Sequence, residues 1–431
     1  MYRKITRFLE SWKESEHRKP LILQGARQVG KTYSILEFGR THYENVAYFN
    51  FETDPKLNDT FAESISPDYL IPILSHIAGI SIVREKTLIV FDEIQLCERA
   101  LTSLKYFCED APAYHIIVAG SLLGVAVNRA RFSFPVGKVD IQTMYPMDLE
   151  EFLLAMGEEP LVAQIRECFA SDTPLPSALH DAAMQLYRQY LVVGGMPECV
   201  MQYVQTRDPI LLRHTQDTIL LSYLNDMSKY NNLNEIKKTR LAYDSITVQL
   251  SKKNTRFQYK LIKKGGRASE FENAIEWLCL SGIVSRVYRA EQIKKPLENY
   301  RDIDAFKIYV SDLGLLCAKK DLAANDVLYM VEELNDFKGG MVENYVNVQL
   351  TINGYATYYW ESDRGAEVDF VIQREGQLIP IEVKAADNTR AKSLAVYMKT
   401  YKPAYALKLS AKNFGFEDGK KTVPLYAVFC I

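Results

Sequence analysis

Through the first half of the chain, short apolar runs alternate with segments long enough to hold helices. Residues 21–24, 46–51, 88–91, 116–119 and 139–143 each form a compact apolar run and read as strands. Strands separated by helical segments predict a mostly parallel sheet with helices on its faces. Residues 147–157 read as a helix closing this region. Beyond it the pattern turns helical, with breaks at Pro174-Leu175-Pro176 and Gly194-Gly195-Met196-Pro197. Helices then lead into two strands at 283–290 and 305–310. The last stretch, from about 325 to 431, reads helix, strand, hairpin, helix, strand. A chain of 431 residues exceeds one ordinary core. The pattern divides it into an α/β sheet domain at 1–150, a helical segment at 151–225 that could cover it as a lid, a helix-and-hairpin module at 226–320 and a smaller α/β domain at 321–431.

Composition narrows the setting. The net charge is −2, so any surface for nucleic acid must be a local patch. No apolar run approaches the roughly 20 residues that span a bilayer; residues 71–83 are interrupted by Ser75, His76 and Ser81. Residues 1–20 are charged throughout and hold no apolar signal core. Secretion and membrane insertion are therefore not expected, and the cytoplasm is the expected compartment. The 7 cysteines are scattered without C-x-x-C spacing, which favours reduced thiols over disulfides or a zinc site.

The strongest chemical signal follows the first strand. Gly25-Ala26-Arg27-Gln28-Val29-Gly30-Lys31-Thr32 matches G-x-x-x-x-G-K-[ST] in full, between an apolar strand and a helix-compatible run. The glycines let backbone N–H groups converge on phosphate oxygens, and the helix start adds a favourable field for anions. Lys31 is expected to reach the β and γ phosphates of ATP, and the Thr32 hydroxyl to ligate Mg²⁺. The run at 87–91 ends in Asp92-Glu93. Asp92 can hold Mg²⁺ through water, and Glu93 can polarise the attacking water. An extra strand beside the P-loop strand, with a glutamate after the magnesium aspartate, resembles the AAA superfamily. That resemblance implies a polar residue touching the γ-phosphate after the fourth strand, where Ser121 stands. It also implies an arginine reaching a neighbouring subunit, for which Arg129 and Arg131 are candidates; as an alternative, both are solvated surface arginines. A homo-oligomer, possible as a ring, is the expected assembly.

The middle module changes sign. Residues 229–307 carry 17 Lys and Arg against 9 Asp and Glu. Lys252, Lys253, Arg256, Lys260, Lys263, Lys264 and Arg267 fall in a stretch without an acid, with Phe257 and Tyr259 interleaved. Helices followed by a hairpin with the basic tip Lys294-Lys295 suggest a winged-helix module. Its charge suits DNA phosphates, and a protein-docking wing is the other reading.

In the last domain, Glu375-Gly376 is flanked by two strand-like runs and reads as a two-residue hairpin turn. Asp369 then lies opposite Glu382, with Lys384 on the same face. Like charges in that position oppose pairing, which a divalent cation with Lys384 nearby would offset. Asp, then Glu-x-Lys, on adjacent strands resembles the PD-(D/E)xK nuclease superfamily. The resemblance implies Mg²⁺ at Asp369 and Glu382, a charge-stabilising Lys384 and a supporting Glu343 from the helix before. The alternative is a binding domain in which these acids only pair with lysines.

Phe134-Pro135-Val136-Gly137-Lys138, Tyr145-Pro146-Met147, the run 190–197 with its Gly-Gly-x-Pro, and Ser311-Asp312-x-Gly314-Leu315 extend the likeness over the chain. Together these residues resemble AAA-superfamily ATPases with a C-terminal nuclease-like domain. The expected function is Mg²⁺-dependent ATP hydrolysis driving a DNA-acting machine. The alternative is an ATP-dependent regulatory switch whose wing and C-terminal domain bind protein partners.

Overall fold

The computed structural model describes residues 1–120, 134–229, 233–252, 256–384 and 392–431. They form two compact units, one of Met1–Tyr145 with Leu280–Gly282, the other of Pro146–Cys279 with Ile283–Ile431.

The first unit is built on an all-parallel sheet of β1 (Leu21–Gln24), β2 (Asn45–Asn50), β3 (Thr87–Asp92), β4 (His115–Gly120) and β5 (Asp140–Thr143), in the order β2-β3-β4-β1-β5. Every residue of β3 and β4 is buried, as central strands covered on both faces require. The edge strands β2 and β5 show mixed burial. The expected placement of the second strand is corrected here. β2 lies at the far edge against β3, and β4 is the strand inserted between β3 and the P-loop strand. The burial patterns give the reason: β4 needs a neighbour on each side, whereas β2, with Tyr48 exposed, tolerates an edge. Helices Lys31–His42, Pro67–Ala78 and Glu98–Asp110 supply the apolar covering. Phe49, Phe51, Phe61 and Phe91 interlock beside β3, with neighbouring ring centroids 5.6 to 5.9 Å apart.

The second unit begins with helices Leu149–Ala155, Glu159–Ser171, Ser177–Val193, Pro197–Thr206 and Pro209–Lys229, so the segment expected to be a lid belongs to this unit. The break at Gly194-Gly195 has a steric cause. Gly195 N–H donates to Asp312 Oδ2 at 2.6 Å, and Met147 N–H donates to the Gly195 carbonyl at 2.7 Å. A Cβ on Gly195 would lie 1.9 Å from the Met147 oxygen. Asp312 also caps the helix Leu313–Lys319 through Leu315 N–H. Burial raises its pKa to about 6, although backbone N–H donors favour the carboxylate. Three of the signature motifs, around Met147, Gly195 and Asp312, thus meet in one structural knot.

Helices Leu233–Leu250 and Ala268–Leu280 precede an antiparallel hairpin of β6 (Val284–Ala290) and β7 (Arg301–Val310). The helix Asn335–Ile352 leads to β8 (Tyr358–Glu361), β9 (Glu367–Arg374) and β10 (Gln377–Val383). The helix Lys392–Tyr401 is followed by β11 (Ala406–Ser410), β12 (Gly415–Glu417) and β13 (Lys420–Pro424). All eight strands form one sheet, in the order β12-β13-β11-β10-β9-β8-β6-β7. The parallel pairing of β6 with β8 ties the hairpin to the C-terminal strands. The expected boundary at 320/321 therefore separates segments that share a sheet. The β9–β10 register runs from Arg374 opposite Gln377 to Phe370 opposite Ile381, as the hairpin reading predicts. Glu375 and Gly376 both take left-handed φ values, 49° and 74°, as the favoured two-residue turn requires. Among the described residues no helix is long and apolar enough to cross a membrane.

Candidate functional site

The P-loop leaves β1 at Gln24 and passes through three positive φ angles, 145° at Gly25, 65° at Gln28 and 92° at Gly30. Gly25 is also required by space, since a Cβ there would lie 2.1 Å from the Met144 oxygen. Gly30 starts the helix Lys31–His42 without a side-chain cap, so the first-turn N–H groups are offered to an anion. The Lys31 ammonium lies over the loop and donates to the carbonyls of Gly25 (2.9 Å) and Ala26 (2.8 Å). Buried Arg3 secures the loop from outside, donating to the Val29 carbonyl at 2.9 Å and the Tyr145 carbonyl at 2.8 Å.

Asp92, buried at the end of β3, faces the loop. Its Oδ2 accepts from Thr32 Oγ1 at 2.9 Å and from the Tyr48 hydroxyl at 2.8 Å, while Oδ1 accepts from Glu93 N–H at 3.0 Å. The two residues expected to hold Mg²⁺, Thr32 and Asp92, are therefore in contact. Both partners of Oδ2 are neutral hydroxyls, which orient the carboxylate without cancelling its charge. This donor set fits a hard divalent cation. Glu93 has φ 52°, in the left-handed region, and one of its oxygens accepts a hydrogen bond from Gln95 Nε2. Burial raises the Glu93 pKa, with Asp92 adding to the effect and Gln95 and Lys31 opposing it. Such a carboxylate is a better proton acceptor than an exposed one. Ser121, Arg129 and Arg131 lie outside the described residues. Arg3, Tyr48 and Gln95 are not part of the sequence motifs. The one sequence signal among them is the polar Gln95 in a buried position just after Asp92-Glu93.

In the second unit, the β9–β10 hairpin, the helix Asn335–Ile352 and β7 bring several charged groups together. Asp369 Oδ2 accepts from Val383 N–H at 2.7 Å. Glu382 is 4% exposed; its Oε1 pairs with Lys384 Nζ at 2.5 Å, and its buried Oε2 has no hydrogen-bond partner. Glu343 Oε2 accepts from the Tyr309 hydroxyl at 2.9 Å and pairs with Lys307 Nζ at 3.4 Å. Lys307, 1% exposed, also lies 2.5 Å from Glu367 Oε1. Burial and then the Glu343 and Glu382 charges push the Asp369 pKa well above the carboxylate range. Burial opposes the Lys307 charge, and Glu343, Glu367 and Asp369 outweigh it. Among the described residues no three His, Cys, Asp or Glu side chains form a ready-made metal centre. Sequence reasoning passed over Lys307, although a lysine inside the apolar strand at 305–310 was a visible anomaly.

In the basic stretch, Lys252, Arg256, Lys260, Lys263, Lys264 and Arg267 are exposed, and Lys263 pairs with Glu270 at 3.2 Å. Lys253 lies outside the described residues. The interleaved aromatics turn inward: Phe257 stacks on Phe306 at 5.2 Å, and the Tyr259 hydroxyl donates to Glu272 at 2.8 Å. They anchor the segment and leave its cations outward.

Residues 17–153 match the model of an AAA domain. Residues 184–326 and 338–428 match two domains of unknown function. No curated protein matches the chain. Among solved structures, a Walker-type ATPase of Pyrococcus abyssi is 13% identical with a TM-score of 0.44, the match covering 73% of this chain and 94% of that one. The Aeropyrum pernix Orc1 protein, solved in complex with DNA, is 13% identical with a TM-score of 0.27, covering 74% and 90%. The Thermotoga maritima RuvB Holliday junction branch migration motor is 14% identical with a TM-score of 0.28, covering 66% and 88%. The AAA-domain match spans the whole nucleotide site, and the first unit is an AAA-type P-loop ATPase domain on a parallel sheet.

Proposed function

We propose that the chain binds Mg²⁺ and ATP at the P-loop and hydrolyses the ATP to drive work on DNA. The observation that carries the ATPase reading is the contact of Thr32 with Asp92, with Glu93 next in the chain. Backbone N–H groups of the loop and the helix start hold the phosphates, and Lys31 adds positive charge at the β and γ phosphates. Thr32 and Asp92 would hold a magnesium ion, which would supply positive charge against the phosphates. Glu93 takes the proton of the attacking water as the oxygen bonds to the γ phosphorus and the bridge to ADP breaks. The raised Glu93 pKa suits that role.

Two basic surfaces of the second unit support a DNA substrate. One is the outward row from Lys252 to Arg267. The other is on β11 and β13, where Lys408 stands beside Glu382 in register. Burial lowers the Lys408 pKa, and Lys412, Lys420 and Lys384 lower it further by repulsion. Phosphates relieve such crowding of like charges.

A second activity at the C-terminal site has its own observation. The unpartnered, buried Oε2 of Glu382, with Asp369 on the neighbouring strand, fits one divalent cation that activates water for phosphodiester cleavage.

The deciding experiment is ATP hydrolysis with and without duplex, branched and single-stranded DNA. Stimulation by DNA that falls when Lys260, Lys263 and Lys264 are reversed to glutamate supports the reading. Hydrolysis indifferent to every DNA points to a switch with protein partners, and no Mg²⁺-dependent hydrolysis removes the ATPase.

A further inference from the structure

The carboxylates of the second unit already hold a cation of their own. Lys307 comes from β7, whereas Glu367 and Asp369 stand on β9, with β6 and β8 between them in the sheet. The Lys307 Nζ lies 5.1 Å from the ring centroid of Tyr359, which stands on β8 between them. It is 2.5 Å from Glu367 and 3.4 Å from Glu343. β7 is fixed in place, since the Asn344 side chain accepts from Val310 N–H at 2.7 Å and donates to the Val310 carbonyl at 2.8 Å. The Glu343 oxygen that meets Lys307 also accepts from Tyr309, so a neutral donor and a cation already share it.

The distribution of partners is uneven. Glu343 and Glu367 are served by Lys307, whereas Glu382 Oε2 has none. A divalent ion at Glu343 would stand within a few ångströms of the buried ammonium, where like charges repel strongly. Lys307 lies in the segment 184–326 that matches one family model, and all four carboxylates lie in the segment 338–428 that matches another. The cation is thus contributed from outside the domain that carries the acids.

We propose that the Lys307 ammonium takes the place of a divalent cation at Glu343 and Glu367, so that removing it creates one additional divalent-cation site. Within this cluster, any metal accepted by the native protein is then confined to Asp369 and Glu382. That last clause rests on the C-terminal reading above; the gain on removing Lys307 does not.

The test counts Mn²⁺ ions bound per full-length chain, by electron paramagnetic resonance of free Mn²⁺ without nucleotide. Wild type, Lys307→Met, the double variant Lys307→Met/Glu343→Gln and Asp369→Asn are compared. Lys307→Met is expected to bind one more ion than wild type, and the double variant to lose it. Equal counts in wild type and Lys307→Met overturn the proposal. If Asp369→Asn binds as many ions as wild type, the metal reading of Asp369 and Glu382 fails, while a gain in Lys307→Met still stands. Thermal melting guards against a folding defect. Should Lys307→Met fold only with Mn²⁺ present, the ion has replaced the ammonium. A variant that Mn²⁺ leaves equally unstable contradicts the idea.

Discussion

Both units gather acids beside buried strands, and they treat them in opposite ways. In the first unit, Asp92 Oδ2 meets two hydroxyls, those of Thr32 and Tyr48, and its negative charge remains for a cation. In the second unit, Glu343, Glu367 and Glu382 meet ammonium groups, from Lys307 and Lys384. Hydroxyl donors orient a carboxylate without neutralising it. A lysine neutralises it and excludes a competitor. The same residue types therefore leave an uncompensated carboxylate in one place and form a largely self-compensated cluster in the other. Within the cluster, Glu382 Oε2 is buried without a hydrogen-bond partner, and Asp369 accepts from a neutral backbone N–H.

The largest expected effect lies in the compensated cluster. Lys307→Met should lower the stability of the second unit by about 3 kcal/mol, the low end for breaking a buried ion pair, because Glu343 and Glu367 lose their cation but are only part-buried. Adding Glu343→Gln should recover part of the loss. Urea denaturation checks this, and an unchanged midpoint for Lys307→Met would remove the contrast between the two sites.

Next comes Lys31→Ala. The ammonium donates to two of the loop's own carbonyls, and folding should change little. ATP affinity should fall about 100-fold, the worth of a hydrogen bond to a charged group near the top of its usual range. Calorimetric titration measures it. Comparable losses of stability from Lys31→Ala and Lys307→Met would mean that the two lysines do the same job.

A smaller effect concerns pH. Glu93 must be ionised to accept a proton, and burial raises its pKa. The acid limb of kcat should therefore lie above the ordinary glutamate value of about 4.3. The hydrogen bond from Gln95 favours the ionised form. Gln95→Leu should move the limb to still higher pH with ATP affinity unchanged, which a pH–rate profile of the variant resolves. A limb that stays in place would mean that Gln95 does not set the basicity of Glu93.

The sequence makes the two sites unequally legible. β1, β3 and β4 are apolar at nearly every position, and the residues following such strands can be assigned without a structure. The β9–β10 register was also legible, because Glu375-Gly376 sets the turn and period-two alternation sets the faces. Tyr48 was not, since its role depends on β2 lying against β3, a neighbour set by sheet order. The partners of Lys307 were hidden for the same reason: three strand-to-strand steps separate β7 from β9, and no local pattern encodes them. Arg3 reaches the P-loop carbonyl of Val29 from before the first helix, again through tertiary placement alone.

We propose that the first unit carries a water-activating site in which Asp92 and Glu93 remain available for catalysis. Glu93→Gln tests it most directly, with ATP binding and phosphate release measured on the same sample. The substitution keeps the shape of the side chain and removes the base. Nucleotide affinity should match wild type while turnover falls by about 10²–10⁴-fold, the usual contribution of general base catalysis. Full turnover by the Glu93→Gln protein would contradict the account.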